Sequence, residues 1–203
     1  MKKNKISKNW IRRQHRDIYV REAQIQGYRS RSAFKLLEID KKYKIFTNKK
    51  SFLDIGSTPG GWSQVANNKL KNSKILSIDI NEMEPIKNVK FILGDFTDEE
   101  IKIKIIKFFE GKIDIIASDM AQNTTGNKNL DSLITGELCL DVINFTKKII
   151  KTNGCFISKI FMGSNFKEII DTCKNTFKNV KVYKPQSSRK ESKENFIICK
   201  NLK

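Results

Sequence analysis

The sequence predicts a doubly wound α/β fold, with seven strands in one mostly parallel sheet and an antiparallel strand near the C-terminal end. Three observations predict it. Short apolar runs alternate with helical patterns over most of the chain, as in βαβ units around a parallel sheet. The first run, Ser51-Phe52-Leu53-Asp54-Ile55, leads into the turn Gly56-Ser57-Thr58-Pro59-Gly60-Gly61-Trp62, where a helical pattern begins. The last two apolar runs follow one another with no helix between them, which suits a hairpin.

The elements follow in order. Residues 29–43 read as a helix, with Ser30 or Ser32 as its cap and Phe34, Leu36, Leu37 and Ile39 at helical spacings. Strand 51–56 precedes helix 61–70. Strand 74–79 again ends in an acid, and strand 89–93 leads to Gly94-Asp95-Phe96. A helix is expected over 98–109, then a strand over 112–118 ending at Asp119. A polar loop at 124–129 precedes a long helix over 130–150, and Lys151-Thr152-Asn153-Gly154 turns out of it. Strand 155–160 carries Lys159 near its end. Helix 164–177, strand 180–183, a charged loop at 185–194 and strand 195–200 complete the chain. No internal repeat stands out. Residues 1–28 read as a basic extension and 29–203 as a single domain, a size that allows a sizeable core.

Forty Lys and Arg against 22 Asp and Glu give a formal charge of +18 in 203 residues. An excess of this size favours an anionic partner, most simply nucleic acid, although a lysine-rich bias alone would also solubilise the surface. In the extension, Lys2, Lys3, Lys5, Lys8, Arg12, Arg13, Arg16 and Arg21 are interleaved with Trp10, His15 and Tyr19. Basic groups can meet phosphates while aromatic faces stack on splayed bases. The plainer alternatives are a solubilising tail, or aromatics docked on the domain. Cys139, Cys155, Cys173 and Cys199 have no paired spacing and His15 is the sole histidine. That pattern suggests buried thiols in a reducing cytosol, with no metal site and no disulfide framework. No stretch has membrane-spanning length, so a cytoplasmic protein without a membrane partner is expected.

Asp54, Asp79, Asp95 and Asp119 each follow a strand candidate. In an open α/β sheet such ends share one rim, so distant residues converge on one ligand. Taken singly, each acid could cap a helix or face solvent; together they favour a pocket. The glycine turn lacks the Lys-Ser ending of a phosphate-gripping loop and the spacing of a dinucleotide fingerprint. Gly56, Gly60 and Gly61 permit close backbone approach, and Pro59 restricts the loop. Asp79 is placed to accept from two ribose hydroxyls and Asp95 from an adenine amino group. A nucleoside cofactor of methyl-transfer chemistry suits such contacts.

The run from Asp54 through Gly61-Trp62-Ser63-Gln64 resembles the cofactor loop of the FtsJ/RrmJ-like (RlmE-type) ribosomal RNA ribose 2′-O-methyltransferases. The similarity continues through Tyr28-Arg29-Ser30-Arg31-Ser32-Ala33-Phe34-Lys35-Leu36, Ser118-Asp119-Met120-Ala121 and Lys159-Ile160-Phe161-Met162-Gly163. It ends in Lys184-Pro185-Gln186-Ser187-Ser188-Arg189 and Ser192-Lys193-Glu194. The resemblance implies a Rossmann-like fold dependent on S-adenosylmethionine and a catalytic set of Lys35, Asp119, Lys159 and Glu194. It also implies Asp79 for the cofactor ribose, Asp95 with backbone groups for adenine, and residues 56–62 for the methionine portion; Asp54 and Asp119 complete the expected cofactor set. The family's bacterial branch modifies a uridine ribose of large-subunit ribosomal RNA in the assembled subunit. Gln122 departs from the pattern: proline usually stands there, and glutamine gives that turn polar groups and conformational freedom.

The reaction so implied is attack of an RNA 2′-oxygen on the activated methyl carbon, which needs alignment and removal of one proton. Lys159 is the candidate for that proton. A lysine of reference pKa about 10.4 reaches its neutral form at pH 7 at a cost of roughly 4.6 kcal/mol. Positive Lys35 and the sulfonium lower that cost, and Asp119 and Glu194 raise it, so a strict base and a group that only orients the hydroxyl both stay open. Lys35 and Glu194 are expected to position the ribose, and the basic extension, Arg29, Arg31, Arg189, Lys190 and Lys193 the RNA backbone. A tRNA or other RNA substrate is the near alternative. A noncatalytic RNA-binding or assembly factor is the alternative of another class, against which the four catalytic candidates speak. Nothing demands more than a monomer.

Overall fold

A computed structural model describes residues 17–120, 128–163 and 165–203. Expectations for Trp10, His15, most of the basic extension and Gln122 lie outside the described residues. Seven strands form one sheet in the order β3-β2-β1-β4-β5-β7-β6. They are β1 (Ser51–Ile55), β2 (Lys74–Asp79), β3 (Lys90–Leu93), β4 (Ile113–Ser118), β5 (Ile150–Phe161), β6 (Phe177–Tyr183) and β7 (Glu194–Leu202). The pairs among β1 to β5 are parallel, and β7 enters antiparallel between β5 and β6. The doubly wound sheet with an antiparallel C-terminal strand is therefore as the sequence predicts.

Six helices accompany the strands among the described residues: α1 (Ile18–Ile25), α2 (Ala33–Tyr43), α3 (Gly61–Lys69), α4 (Glu99–Phe109), α5 (Lys128–Ile149) and α6 (Phe166–Thr176). Helix α1 was not anticipated. Its N-cap Asp17 accepts from the Tyr19 amide at 3.1 Å, and the Tyr19 ring rests 5.5 Å from that of Phe34 on α2. Helix α2 begins later than residue 29, and Ser32 sits at its cap position without bonding the helix's free amides. Strand β5 starts at Ile150, so the expected turn at 151–154 is strand.

Strand alternation divides the core into two layers. Leu53, Ile55, Leu76, Ile78, Ile116, Phe156 and Ile160 pack with α4, α5 and α6 on one face. Phe52, Ile75, Ile115, Ala117, Cys155, Ile157, Phe196 and Ile198 pack with α2 and α3 on the other. Continuing the second set by two residues toward the parallel strands' C-terminal ends reaches Asp54, Ser77 and then Asp79, Asp119 and Lys159; going back from Phe196 reaches Glu194. Apolar stripe and polar rim are thus one face of the sheet.

The direction of winding reverses at β1, which has β2 on one side and β4 on the other. Ligands of open α/β sheets bind outside the strand ends at such a point. The Gly56 and Ser57 amides still reach β2, donating to Ile78 O at 2.9 and 3.1 Å, while the Asp119 amide donates to Ile55 O at 3.1 Å. Gly56 has φ +77°, and a Cβ there would lie 2.6 Å from Met120 Cγ and 2.9 Å from its backbone, so only glycine fits.

Candidate active site

A cavity of about 400 Å³ opens at this rim, lined by Gly56, Thr58, Asp79, Asp95 and Asp119 with Ile78, Ile80, Phe96 and Leu138 among its apolar members. No lysine or arginine is among its described lining residues. Carboxylates beside apolar walls suit a nucleoside with hydroxyl and amino donors, and give nothing to grip a phosphate. Asp79 Oδ2 accepts from the Thr58 amide at 2.9 Å, and Oδ1 accepts from the Asn81 amide at 2.8 Å. Asp95 Oδ1 accepts from the Thr97 amide at 2.8 Å and hydroxyl at 2.7 Å. Both acids are therefore oriented by their own loops, with lone pairs left for a ligand.

The other expected cofactor residues do not line this cavity. Asp54 is 1% exposed, beneath the glycine loop. Its Oδ2 accepts from Ser63 Oγ at 2.5 Å, and Ser63 Oγ lies 2.6 Å from Ser77 Oγ. Its Oδ1 has no partner. Burial, with Asp119 and Asp79 adding repulsion, pushes the Asp54 carboxyl up to about 7. Pro59, Gly60, Gly61 and Trp62 shape the loop from behind, and buried Trp62 donates from Nε1 to Ser32 O at 2.9 Å.

The four expected catalytic residues come together beside the cavity as two linked pairs. Lys159 Nζ donates to Asp119 O at 2.7 Å and lies 3.0 Å from Asp119 Oδ1. The side chains retain 8% and 16% of their exposure. Lys35 Nζ holds both Glu194 oxygens at 2.8 Å and lies 5.5 Å from the Phe196 ring centroid. Burial alone would raise the Asp119 carboxyl, but Lys159, Lys35 and a Ser32 hydrogen bond outweigh it and hold the group below the ordinary carboxylate value. Asp119 belongs to both parts, lining the cavity and fixing Lys159.

Two serines complete the set and escaped the sequence reading. Ser32 Oγ donates to Asp119 Oδ2 at 2.7 Å, and Ser188 Oγ to Glu194 Oε1 at 2.8 Å. Ser32 lies one helical turn before Lys35, so spacing alone marks a shared face. Ser188 carries no such signal. Among the described residues, no group of three His, Cys, Asp or Glu side chains could hold a metal ion, and no helix is long and apolar enough to cross a membrane.

Comparison with known proteins points the same way. Residues 28–202 match the FtsJ-like methyltransferase family. The chain is 55% identical to "Ribosomal RNA large subunit methyltransferase E" of Pelagibacter ubique (strain HTCC1062), over all of both chains. It is 47% identical to the protein of that name from Rickettsia akari (strain Hartford), over 100% of this chain and 92% of that one. A Plasmodium falciparum structure assigned as a ribosomal RNA methyltransferase superposes with TM-score 0.77 at 38% identity, covering 86% of this chain and 98% of that one. With the matched span running from the residue before Arg29 to the end of β7, and so over the whole rim just described, the chain belongs to the FtsJ-like methyltransferase family.

Proposed function

We propose that the protein transfers a methyl group from S-adenosylmethionine to a ribose 2′-oxygen of RNA, at a uridine of large-subunit ribosomal RNA in the assembled subunit. One observation carries the reading: Asp119 lines a phosphate-averse nucleoside cavity and, in the same place, fixes a buried lysine. The name shared by the curated relatives supports the ribosomal substrate, as does the excess of positive charge.

The residues present fit the cofactor. Asp79 and Asp95 would hold its ribose hydroxyls and adenine, and Gly56 and Thr58 on the cavity wall would meet its methionine portion. When bound, it supplies a methyl carbon on a sulfonium leaving group. Everything else falls to the chain. Asp119 holds Lys159 Nζ in place through its main-chain and carboxylate oxygens. Lys159 orients the 2′-hydroxyl and handles its proton as the oxygen gains its methyl group. Lys35 and Glu194, locked to each other and to Ser188, form the wall that positions the ribose.

The test is methyl transfer to undermethylated large subunits, with free ribosomal RNA and tRNA alongside and the product mapped to its atom. Lys159→Ala should lose nearly all transfer and retain cofactor binding. Wild-type turnover by that variant would refute the role of Lys159, and preferential transfer to tRNA would refute the ribosomal assignment.

A further inference from the structure

The stretch 29–32 touches both halves of the site, and its two arginines point to different halves. Arg29 donates from Nη1 to Glu84 O at 2.5 Å and Pro59 O at 3.3 Å, and from Nη2 to Pro85 O at 2.8 Å. Its own amide donates to Gln64 Oε1 at 2.8 Å, and Gln64 Nε2 donates to Gly27 O at 3.0 Å. The carbonyls it gathers belong to the glycine loop and to the connection between β2 and β3. Both follow strands whose ends line the cavity. The two segments meet at Gly60, where a Cβ would lie 2.8 Å from Ile86 Cδ1, 2.9 Å from Met83 Sδ and 3.3 Å from Arg29 Nη1. Residues 82–86 have no helix or strand of their own, so side-chain bonds such as these set their course.

Arg31 turns the other way. It pairs with Asp17 and donates to Ser187 O. The next residue is Ser188, the donor to Glu194. Glu38, on the same helix as Lys35, accepts from the Gln186 amide at 2.6 Å and the Ser187 amide at 2.9 Å. The loop that delivers Ser188 is thus held from α2 and from Arg31 together.

A shared RNA-phosphate role leaves these contacts unexplained, because Nη1 and Nη2 of both guanidinium groups already meet protein acceptors. We propose that Arg29 and Arg31 are positioning residues for opposite halves of the site. Arg29 sets the wall of the cofactor cavity, and Arg31 sets the loop that locks Glu194 against Lys35. The inference rests on the methyl-transfer reading above.

Lysine substitutions separate the possibilities, because lysine keeps the charge for a phosphate but loses the planar fork. Arg29→Lys should weaken S-adenosylmethionine binding about tenfold in calorimetry without RNA, the effect of losing charge-assisted bonds that hold the competent loop. It should raise the KM for the cofactor more than it lowers kcat, and speed amide exchange over residues 80–89 in the free protein. Arg31→Lys should leave cofactor affinity within about twofold and lower kcat about tenfold, while RNA affinity of both variants stays within about twofold. Wild-type cofactor affinity and exchange in Arg29→Lys would overturn the proposal. So would an equal loss of RNA affinity in both variants with cofactor binding intact. Failure of the wild-type protein to bind the cofactor would instead refute the methyl-transfer reading, and the exchange comparison would then decide the role of Arg29 alone.

Discussion

Asp54→Asn should make the protein more stable than wild type in mildly alkaline solution and less stable below about pH 4.5. The Asp54 carboxyl titrates near 7 in the folded chain because it is buried, against an ordinary value of 3.8. Its folded value is raised, so the native state holds the proton more tightly than the unfolded one. Stability is lost as pH rises from about 4 to about 7 and then levels off. The full penalty is about 4 kcal/mol, and the part that develops between pH 5 and pH 8 is about 3 kcal/mol. Asparagine removes this dependence, but places an amide donor where Asp54 Oδ1 has no partner, at a fixed cost of about 1–3 kcal/mol. The two terms cross between about pH 4.5 and pH 6. Urea denaturation of both proteins at pH 5 and pH 8 measures the difference directly. A variant-minus-wild-type difference that is the same at both pH values would refute the account of Asp54 as a proton-holding acid.

Three further outcomes follow from the geometry. Asp119→Ala strands Lys159 in a nearly closed site and should cost about 3 kcal/mol by denaturation, besides abolishing transfer. Asp114, 3% exposed, accepts from the Lys50 and Ser51 amides at 3.0 and 3.1 Å and from Lys151 Nζ at 3.0 Å. Burial raises its carboxyl, but these bonds outweigh burial and hold it below 3.8; its contribution is therefore present above that pH and lost as pH falls through the lower folded value. Asp114→Ala should cost about 3 kcal/mol at pH 7, with the difference shrinking in acid; a pH-independent difference would argue against the ion pair. All four cysteines are buried and free, and burial pushes Cys139 and Cys155 up to about 12. A thiol reagent at pH 8 should label all four only after unfolding, and rapid labelling of the native protein would contradict the packing of the core.

Much of this was legible because strand ends and alternation are visible in a sequence. Asp79, Asp95 and Asp119 close apolar runs, and the sheet brings them to one cavity as parallel strands must. Asp54 closes such a run too, but it turns to Ser63 in α3 rather than to the cavity. Nothing in the spacing separates an acid facing a ligand from one facing a serine of the next helix. Helix α1 went unread because only Ala23 of its residues is buried and Ile18 and Ile25 are exposed, so it shows little apolar stripe. Its place is fixed by Asp17 and Tyr19, which are tertiary contacts. For Arg29 and Arg31 likewise, charge is visible in a sequence, whereas the carbonyls and the Asp17 carboxylate that they meet are not.

The shared face of core and rim has a consequence for how the chain can change. On β5, Cys155 and Ile157 belong to the α2 and α3 layer, and Lys159 is the next member of that series. Losing one residue between them would present a neighbour of opposite orientation at the rim and force a charged group toward α5. The same holds for Phe52 and Asp54, for Ala117 and Asp119, and for Phe196 and Glu194. Point substitutions can therefore adjust the chemistry one residue at a time, but insertions and deletions of a single residue within these strands cannot. Length variation in this chain belongs in its connections, where the number of residues is not also an instruction about which way the next one faces.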